Sequence, residues 1–430
     1  MDRQFALDIL LKYKQEKSYL NLSLHACFQN QQISREQKDF ITRVVYGTVQ
    51  NMLYLEYLLE PHLKTRVKAY EKMLLLMSLY QHEFMDSIPD YAIVNEAVRL
   101  AKKKKGTKTA QFINAVLNHA FHQHRSLDEL DDEKERLSIE TSHPLWLVKM
   151  LSKQYGEEET RKICYADNEV PYKSARVNTL KTKKESLLKD DMWSEGQLSP
   201  DCLYYQRGNI ANTKYYQEGL VTIQDESSQM VARLLNPQPH EYILDMCCAP
   251  GGKTSHLAAL MKNQGRIDAY DLYEHKIEPI RDKTLILVPT TCGTGSEVQR
   301  LGVDIVHVQA YDSTHLIELY PADTFDRILL DAPCSGLGVL ARKPEIKYHD
   351  SDSMDEIIQI QQKLLENAYF LLKNGGRIVY STCTINKKEN GKQIETFIKN
   401  HSDMKKIEET TILPYQYHSD GFYMCLLEKE

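Results

Sequence analysis

Between residues 242 and 383 five short apolar runs recur, YILDM, RIDAYDL, VDIVHVQA, FDRILLDAP and GGRIVYSTC. Helical stretches such as KTSHLAALMKN and IIQIQQKLLENAYFLLKN lie between some of them. Strands alternating with helices are the pattern of a doubly wound parallel sheet, and in such sheets ligands sit beyond the carboxyl ends of the strands. The residues that end each run are therefore the candidates for chemistry.

The remaining chain is organised differently. Its 430 residues exceed one ordinary core, and the 42% hydrophobic content is that of a globular protein of two or three domains. Residues 1–125 repeat a helical apolar period. SREQKDFITRVVYGTVQNMLYLEYLLEPHL opens with Ser34 and Gln37 at capping-box spacing, and YEKMLLLMSLYQHEF, YAIVNEAVRLAKKKK and TAQFINAVLNHAFHQH continue the period. Residues 126–142 are acidic and poor in large apolar side chains, as expected of a linker or an exposed short helix. Residues 143–237 mix a helical segment with strand-like KSARVNTL and CLYYQRG, a small α+β module. Residues 238–430 form the α/β domain, with an atypical insertion near 279–298. The expected fold class is thus multidomain: all-α, then small α+β, then Rossmann-like α/β.

Charge separates the front from the rest. The net charge is −6, yet residues 1–125 carry 18 Lys and Arg against 12 Asp and Glu. A basic front on an acidic chain suggests that the front meets an anion. No secretory h-region opens the chain and no run approaches a membrane span, so a soluble, cytoplasmic protein without membrane partners is expected, with a monomer favoured. Nine cysteines, an odd number without a Cys-x-x-Cys pair, argue against a disulfide framework and a zinc site, and no metal is expected.

At the first strand end, LDMCCAPGGKTSHLAAL places a Gly-rich turn between strand and helix, where uncovered backbone and the helix N-terminus can meet a carboxylate. The second run ends at Asp271, an acid able to accept both hydroxyls of a ribose. Without a full Gly-x-Gly-x-x-Gly, a nucleoside fits better than a dinucleotide. The fourth and fifth runs each deliver a cysteine, Cys334 in DAPCSGLGVL and Cys383 in STCTINKKEN. A lone buried cysteine is usually an inert hydrophobe; two at neighbouring strand ends suggest a thiolate that adds reversibly to an electron-poor carbon. Cytosine is such a substrate, because thiol addition at C6 makes C5 nucleophilic, and an acid at N3, a role open to Asp331, stabilises the adduct.

These motifs carry a resemblance. Cys248 to Thr254, Asp331 to Gly336 and Ser381 to Thr384 stand in the order and wording of the RNA cytosine-C5 methyltransferases, S-adenosylmethionine enzymes on a Rossmann-like fold. The front end, with VVYGTVQNM, VNEAVRLAKK and FINAVLN, is similar to the NusB-like RNA-binding domain, and the combination resembles the bacterial RsmB (Sun) family, which methylates a cytosine of small-subunit ribosomal RNA. The resemblance implies that Cys247, Cys248, Ala249, Pro250, Gly251, Gly252 and Lys253 hold the methionine end of S-adenosylmethionine, Asp271 its ribose, and Asp312 stands near its adenine. It implies that Asp331 bridges cofactor and base, that Cys383 is the nucleophile, and that Cys334 helps to remove the C5 proton. Lys102, Lys103, Lys104 and Lys105, in the most cationic stretch, are the expected RNA contacts.

One stretch does not belong. PIRDKTLILVPTTCGTGSEV resembles the nucleotide loop of iron-containing alcohol dehydrogenases, but no downstream cluster of His and Asp ligands accompanies it. A surface loop is expected, since long insertions cost little entropy. Two other readings are compatible with the sequence: a catalytically impaired RNA-binding or ribosome-assembly factor whose pocket the insertion damages, and an NAD-dependent oxidoreductase.

Overall fold

The computed structural model describes residues 2–16, 19–29, 33–123, 125–274, 297–349 and 353–430. The chain divides into two units, Met1–Glu169 with Leu340–His349, and Val170–Val339 with Asp350–Glu430.

The first unit is helical. It begins with α1 (Asp2–Glu16), α2 (Leu20–Gln29), α3 (Arg35–Gln50), α4 (Met52–Leu59), α5 (Ala69–Phe84), α6 (Asp90–Lys105) and α7 (Thr107–Ala120). The capping box forms: Ser34 Oγ accepts the Gln37 N–H at 3.3 Å and Gln37 Oε1 accepts the Ser34 N–H at 2.9 Å, which satisfies two donors at the start of α3. In α5 every residue from Met73 to Gln81 is buried, so this helix is the axis of the core. Leu7 and Leu10, Ile41 and Val45, Leu100, and Ile113 and Leu117 belong to the same cluster. The acidic stretch 126–142 holds α8 (Glu133–Glu140), whose first turn is capped by Asp132 and which packs on α4. Then follow α9 (Leu145–Tyr155) and α10 (Glu157–Ala166).

A segment from far along the chain completes this unit. In the 3-10 turn Pro344–Tyr348, the Tyr348 hydroxyl donates to the Val49 carbonyl at 3.0 Å, and Lys347 Nζ donates to Asn168 Oδ1 at 2.8 Å and to the Thr141 carbonyl at 3.3 Å. Burial pulls the Lys347 ammonium down to about 8, against the attraction of Asp167.

The second unit holds two sheets. The smaller is antiparallel, with β1 (Ser174–Val177), β2 (Trp193–Glu195), β3 (Cys202–Tyr205) and β4 (Val221–Ile223) in the order β2-β3-β1-β4, and the short helices α11 (Lys184–Leu187) and α12 (Lys214–Gln217) in its connections. After α13 (Glu226–Leu235) comes the larger sheet, built from β5 (Tyr242–Asp245), β6 (Arg266–Asp271), β7 (Val306–Ala310), β8 (Phe325–Asp331), β9 (Leu372–Thr382), β10 (Met404–Ile412) and β11 (Phe422–Lys429). Its helices are α14 (Gly252–Leu260), α15 (Glu297–Leu301), α16 (Ser353–Leu371) and α17 (Gly391–Asn400). Among the described residues its order is β10-β11-β9-β8-β5-β6-β7.

The five apolar runs are β5 to β9, and they pair in parallel. The chain winds outward from β5 through β6 to β7, then returns to place β8 on the other side of β5. That reversal opens a crevice at the carboxyl ends of β5 and β8.

Beyond this parallel core, which is the one expected, the sheet gains two further strands. β11 runs antiparallel to both β9 and β10, so the sheet is mixed. β11 is buried on both faces, so its apolar run FYMCLL lacks alternation, while β10 is an edge strand whose outer residues KKIEET are largely charged. Neither shows the period of a half-buried strand.

The inserted segment near 279–298 lies outside the described residues except for its last two positions, with which α15 begins. Among the described residues no helix is long and apolar enough to cross a membrane, and no group of three or more His, Cys, Asp or Glu is placed to hold a metal ion.

Leu329 lies at the centre of β8, fully buried, with Asp245 and Val379 as its register partners on either side. Leu329→Ala should cost about 2–5 kcal/mol through lost burial and an unfilled cavity. Urea unfolding of the full chain, compared with the unsubstituted protein, measures it.

Candidate active site

The parallel register sets Leu330 opposite Tyr380 and Asp331 opposite Ser381, so β8 and β9 end at one level. Cys334 stands three residues beyond Asp331, and Cys383 directly follows β9. Their sulfurs meet, with Sγ to Sγ at 3.4 Å. Cys334 is pushed well above the usual thiol range, first by its hydrogen bond with Cys383, then by burial and by the charges of Cys383 and Glu389. It is a protonated thiol at neutral pH.

Asp331 is held at both oxygens. Oδ1 accepts the Ser381 hydroxyl at 2.8 Å, and Oδ2 accepts Lys253 Nζ at 2.6 Å. Burial works against the Lys253 charge, but the attraction of Asp331 outweighs it, helped by Cys383 and Asp245, and the ammonium titrates above its ordinary value. Lys253 also lies 5.3 Å from the centre of the Phe422 ring.

The Gly-rich turn joins β5 to α14. Gly251 has φ +99°, a backbone that favours glycine, and its N–H donates to the Cys248 carbonyl at 2.7 Å. The Cys248 N–H donates to the Tyr270 carbonyl at 2.8 Å, which ties the turn to β6. The Cys248 thiol is buried and its pKa is pushed far up by that burial, whereas Cys247 is half-buried. Asp271, at the end of β6, accepts the Ala249 N–H at 3.3 Å and so stands beside the turn. Asp312 follows β7, whose outgoing Tyr311 N–H donates to the Asp271 carbonyl at 3.0 Å. Asp312 is exposed, and its Oδ1 caps the next 3-10 turn by accepting the Thr314 N–H and hydroxyl at 2.9 and 2.8 Å.

Sequence reasoning passed over three residues. Asp245, the last residue of β5, is fully buried; its Oδ2 accepts the Thr254 hydroxyl at 2.7 Å while Oδ1 has no hydrogen-bond partner among the described residues. Burial raises its pKa to about 7, partly offset by Thr254. Its signal was its place at the end of the first strand. Ser381, the second, has its signal inside the STC motif. The third is Arg176 of β1, fully buried: its Nε donates to Gln224 Oε1 at 2.7 Å, and its Nη2 donates to Ser255 Oγ at 2.9 Å and to the Gly252 carbonyl at 3.3 Å. The small sheet thereby braces the first turn of α14 from behind. Beside it, His256 Nε2 donates to Asp201 Oδ2 at 3.0 Å, and Arg233 grips both Asp201 oxygens. No local pattern signals these contacts, because the partners lie between 32 and 79 residues apart.

An unpartnered buried carboxylate oxygen, a left-handed glycine and the donors of a helix's first turn converge at the end of β5, and an acid waits at the end of β6. Those features suit a ligand with an amino-acid end and a ribose. In the helical unit, Lys102, Lys103, Lys104 and Lys105 form the exposed last turn of α6, where cations also suit the helix dipole.

Comparison with known proteins gives three family matches along the chain. A family model described as 16S rRNA methyltransferase RsmB/F matches residues 232–428, the NusB family matches residues 1–121, and an RsmF/B-like ferredoxin-like domain matches residues 143–196. The chain is 38% identical to a Bacillus subtilis (strain 168) protein named probable ribosomal RNA small subunit methyltransferase B, over 100% of this chain and 98% of that one. It shares its fold with the crystal structure of PH0851, at TM-score 0.82 and 24% identity over 100% and 99% of the two chains. It also shares the fold of NSun6 from Pyrococcus horikoshii with SFG, at TM-score 0.58 and 23% identity over 66% of this chain and 98% of that one.

The brace behind α14 makes a pH prediction. Burial and then the Arg176 charge hold His256 down to about 4 despite Asp201. Its Nδ1 has no partner, as expected of a neutral ring with the proton on Nε2. The unfolded chain binds a proton there below its ordinary 6.5 and the folded chain does so only below about 4, so stability falls as pH drops through that window and levels off beneath it. The loss should approach about 3 kcal/mol. His256→Gln should flatten this part of the profile, read as urea midpoints from pH 7 to pH 4.

Proposed function

The chain belongs to the RsmB/F family of 16S rRNA methyltransferases, and on that premise we propose that it transfers a methyl group from S-adenosylmethionine to C5 of a cytosine in small-subunit ribosomal RNA, through a covalent bond from Cys383 to C6. The observation that carries this reading is the 3.4 Å contact between Cys334 and Cys383 at the ends of adjacent parallel strands, next to the Lys253–Asp331 pair. Two thiols with one ion pair are what a nucleophile, a proton acceptor and a proton donor require.

The turn from Cys247 to Lys253 would hold the methionine end of S-adenosylmethionine, with Asp245 beneath it, Asp271 at the ribose and Asp312 toward the adenine. When bound, the cofactor supplies a methyl group on a cationic sulfur. Cys383, as the thiolate, bonds through Sγ to C6, and N3 takes a proton from the Lys253–Asp331 pair, the Lys253 ammonium supplying it through the Asp331 carboxylate. C5 then carries the electron density that accepts the methyl group. Cys334 passes its own proton to solvent and, as the thiolate, takes the C5 proton; N3 returns its proton to the Lys253–Asp331 pair as the C6–Sγ bond breaks, and Cys383 leaves as the thiolate.

Cys334 Sγ lies 3.4 Å from Cys383 Sγ, beside the carbon to which Cys383 would bond. Lys102, Lys103, Lys104 and Lys105 would contact RNA phosphates.

Incubation with methyl-labelled cofactor and small-subunit ribosomal RNA should place label at C5 of a cytosine; label at another atom would overturn the proposal. Cys383→Ala should reduce transfer at least about a thousandfold and leave no covalent complex. Cys334→Ala should instead accumulate a protein–RNA complex stable in denaturing gels. If the two variants behave alike, the roles are misassigned. Replacing the four lysines with alanine should weaken RNA binding and lower the slope of log K against log salt by about 0.7–0.9 per lost phosphate contact; an unchanged slope removes these lysines from the interface.

A further inference from the structure

Glu389 follows β9 by seven residues and is fully buried, yet no Lys or Arg is among its hydrogen-bond partners. Oε1 accepts the Ser335 hydroxyl at 2.5 Å and Asn386 Nδ2 at 2.9 Å; Oε2 accepts the Ser335 N–H at 2.8 Å and Gln361 Nε2 at 3.4 Å. Its own carbonyl accepts the Tyr380 hydroxyl at 2.7 Å. The network reaches both cysteine loops. Gln361 Nε2 also donates to the Pro333 carbonyl at 2.9 Å, so the Cys334 loop is gripped on both sides of the thiol. Ser335 Oγ meets Thr384 Oγ1 at 2.9 Å, and Asn386 lies two residues further on, so the loop that leaves Cys383 is gripped as well.

A buried carboxylate costs several kcal/mol unless it is well paired, and packing alone could be met by an apolar side chain. What only a carboxylate offers is acceptance at every lone pair, so that it can take four donors at once, two from Ser335 in the Cys334 loop, one from Asn386 beyond Cys383 and one from Gln361 on α16. An amide of the same shape would turn an NH2 toward one pair of these donors.

We infer that Glu389 is a positioning residue that ties the Cys334 loop to the Cys383 loop and so sets the spacing of the two sulfurs. The inference rests on the reading of those cysteines as a working pair, but the spacing can be measured without substrate.

Phenylarsine oxide exchanges its oxygen for the sulfurs of two thiols, whose protons leave with the oxygen as water, and binds tightly only where both thiols lie close together. Protection of Cys334 and Cys383 from alkylation, read peptide by peptide by mass spectrometry, reports on this pair among the other cysteines. In the full chain, Glu389→Gln should need about tenfold or more reagent for that protection, because the second arsenic–sulfur bond loses its effective concentration. Its kcat for methyl transfer should fall about a hundredfold, as expected of misplaced reacting groups, while KM for S-adenosylmethionine stays close to that of the unsubstituted protein. Ser335→Ala, which removes one donor and the link to Thr384, should shift both readouts the same way by less, and it decides the question if Glu389→Gln does not fold. Unchanged arsenical protection in a folded variant overturns the inference, whatever happens to methyl transfer. Changed protection together with an unsubstituted protein that transfers no methyl group upholds the positioning role and overturns the functional reading instead.

Discussion

The site depends on the parallel pairing of β8 with β9. With Asp331 opposite Ser381, two loops leave the sheet at one level and their cysteines touch. A slip of one residue would turn every side chain of one strand to the opposite face. The Ser381–Asp331 hydrogen bond and the sulfur contact would then both be lost. The register is held by the apolar faces themselves, since Ile328, Leu329, Leu330, Ile378, Val379 and Tyr380 are all fully buried.

Around this pairing the second unit accumulates buried polar groups, and nearly all of them are satisfied. Lys253 and Asp331 neutralise each other, His256 and Arg233 share Asp201, and Glu389 is surrounded by donors. Asp245 Oδ1, buried at the end of β5, is an exception. Such networks are costly to assemble and rigid once complete. Rigidity is what the proposed reaction through two adjacent thiols requires.

Much of this was legible in local sequence. The five apolar runs became β5 to β9, the Ser34–Gln37 spacing became a working capping box, and the Gly-rich turn and both cysteines lie at the strand ends where alternation had put them. The hairpin of β10 and β11 was not legible, because a strand buried on both faces and a charged edge strand each lack the alternating period. The roles of Arg176 and Glu389 escaped for another reason: each acts through partners distant in sequence, and an isolated Arg or Glu carries no sign of burial. The turn Pro344–Tyr348 reads as an ordinary loop between strands, yet Glu345, Ile346 and Lys347 are buried in the helical unit.

The sequence by itself determined the helices of the first unit, the five parallel strands, the candidate residues and the family, because hydrophobic period, turn chemistry and motif wording are local properties. Tertiary structure alone decided which of those residues meet. It brought Cys334 within 3.4 Å of Cys383, paired Lys253 with Asp331, and enclosed Glu389 between the loops. The physical reason is that protonation, hydrogen-bond partnership and spacing depend on the solvent and charge around a group, and these exist only once distant segments have packed.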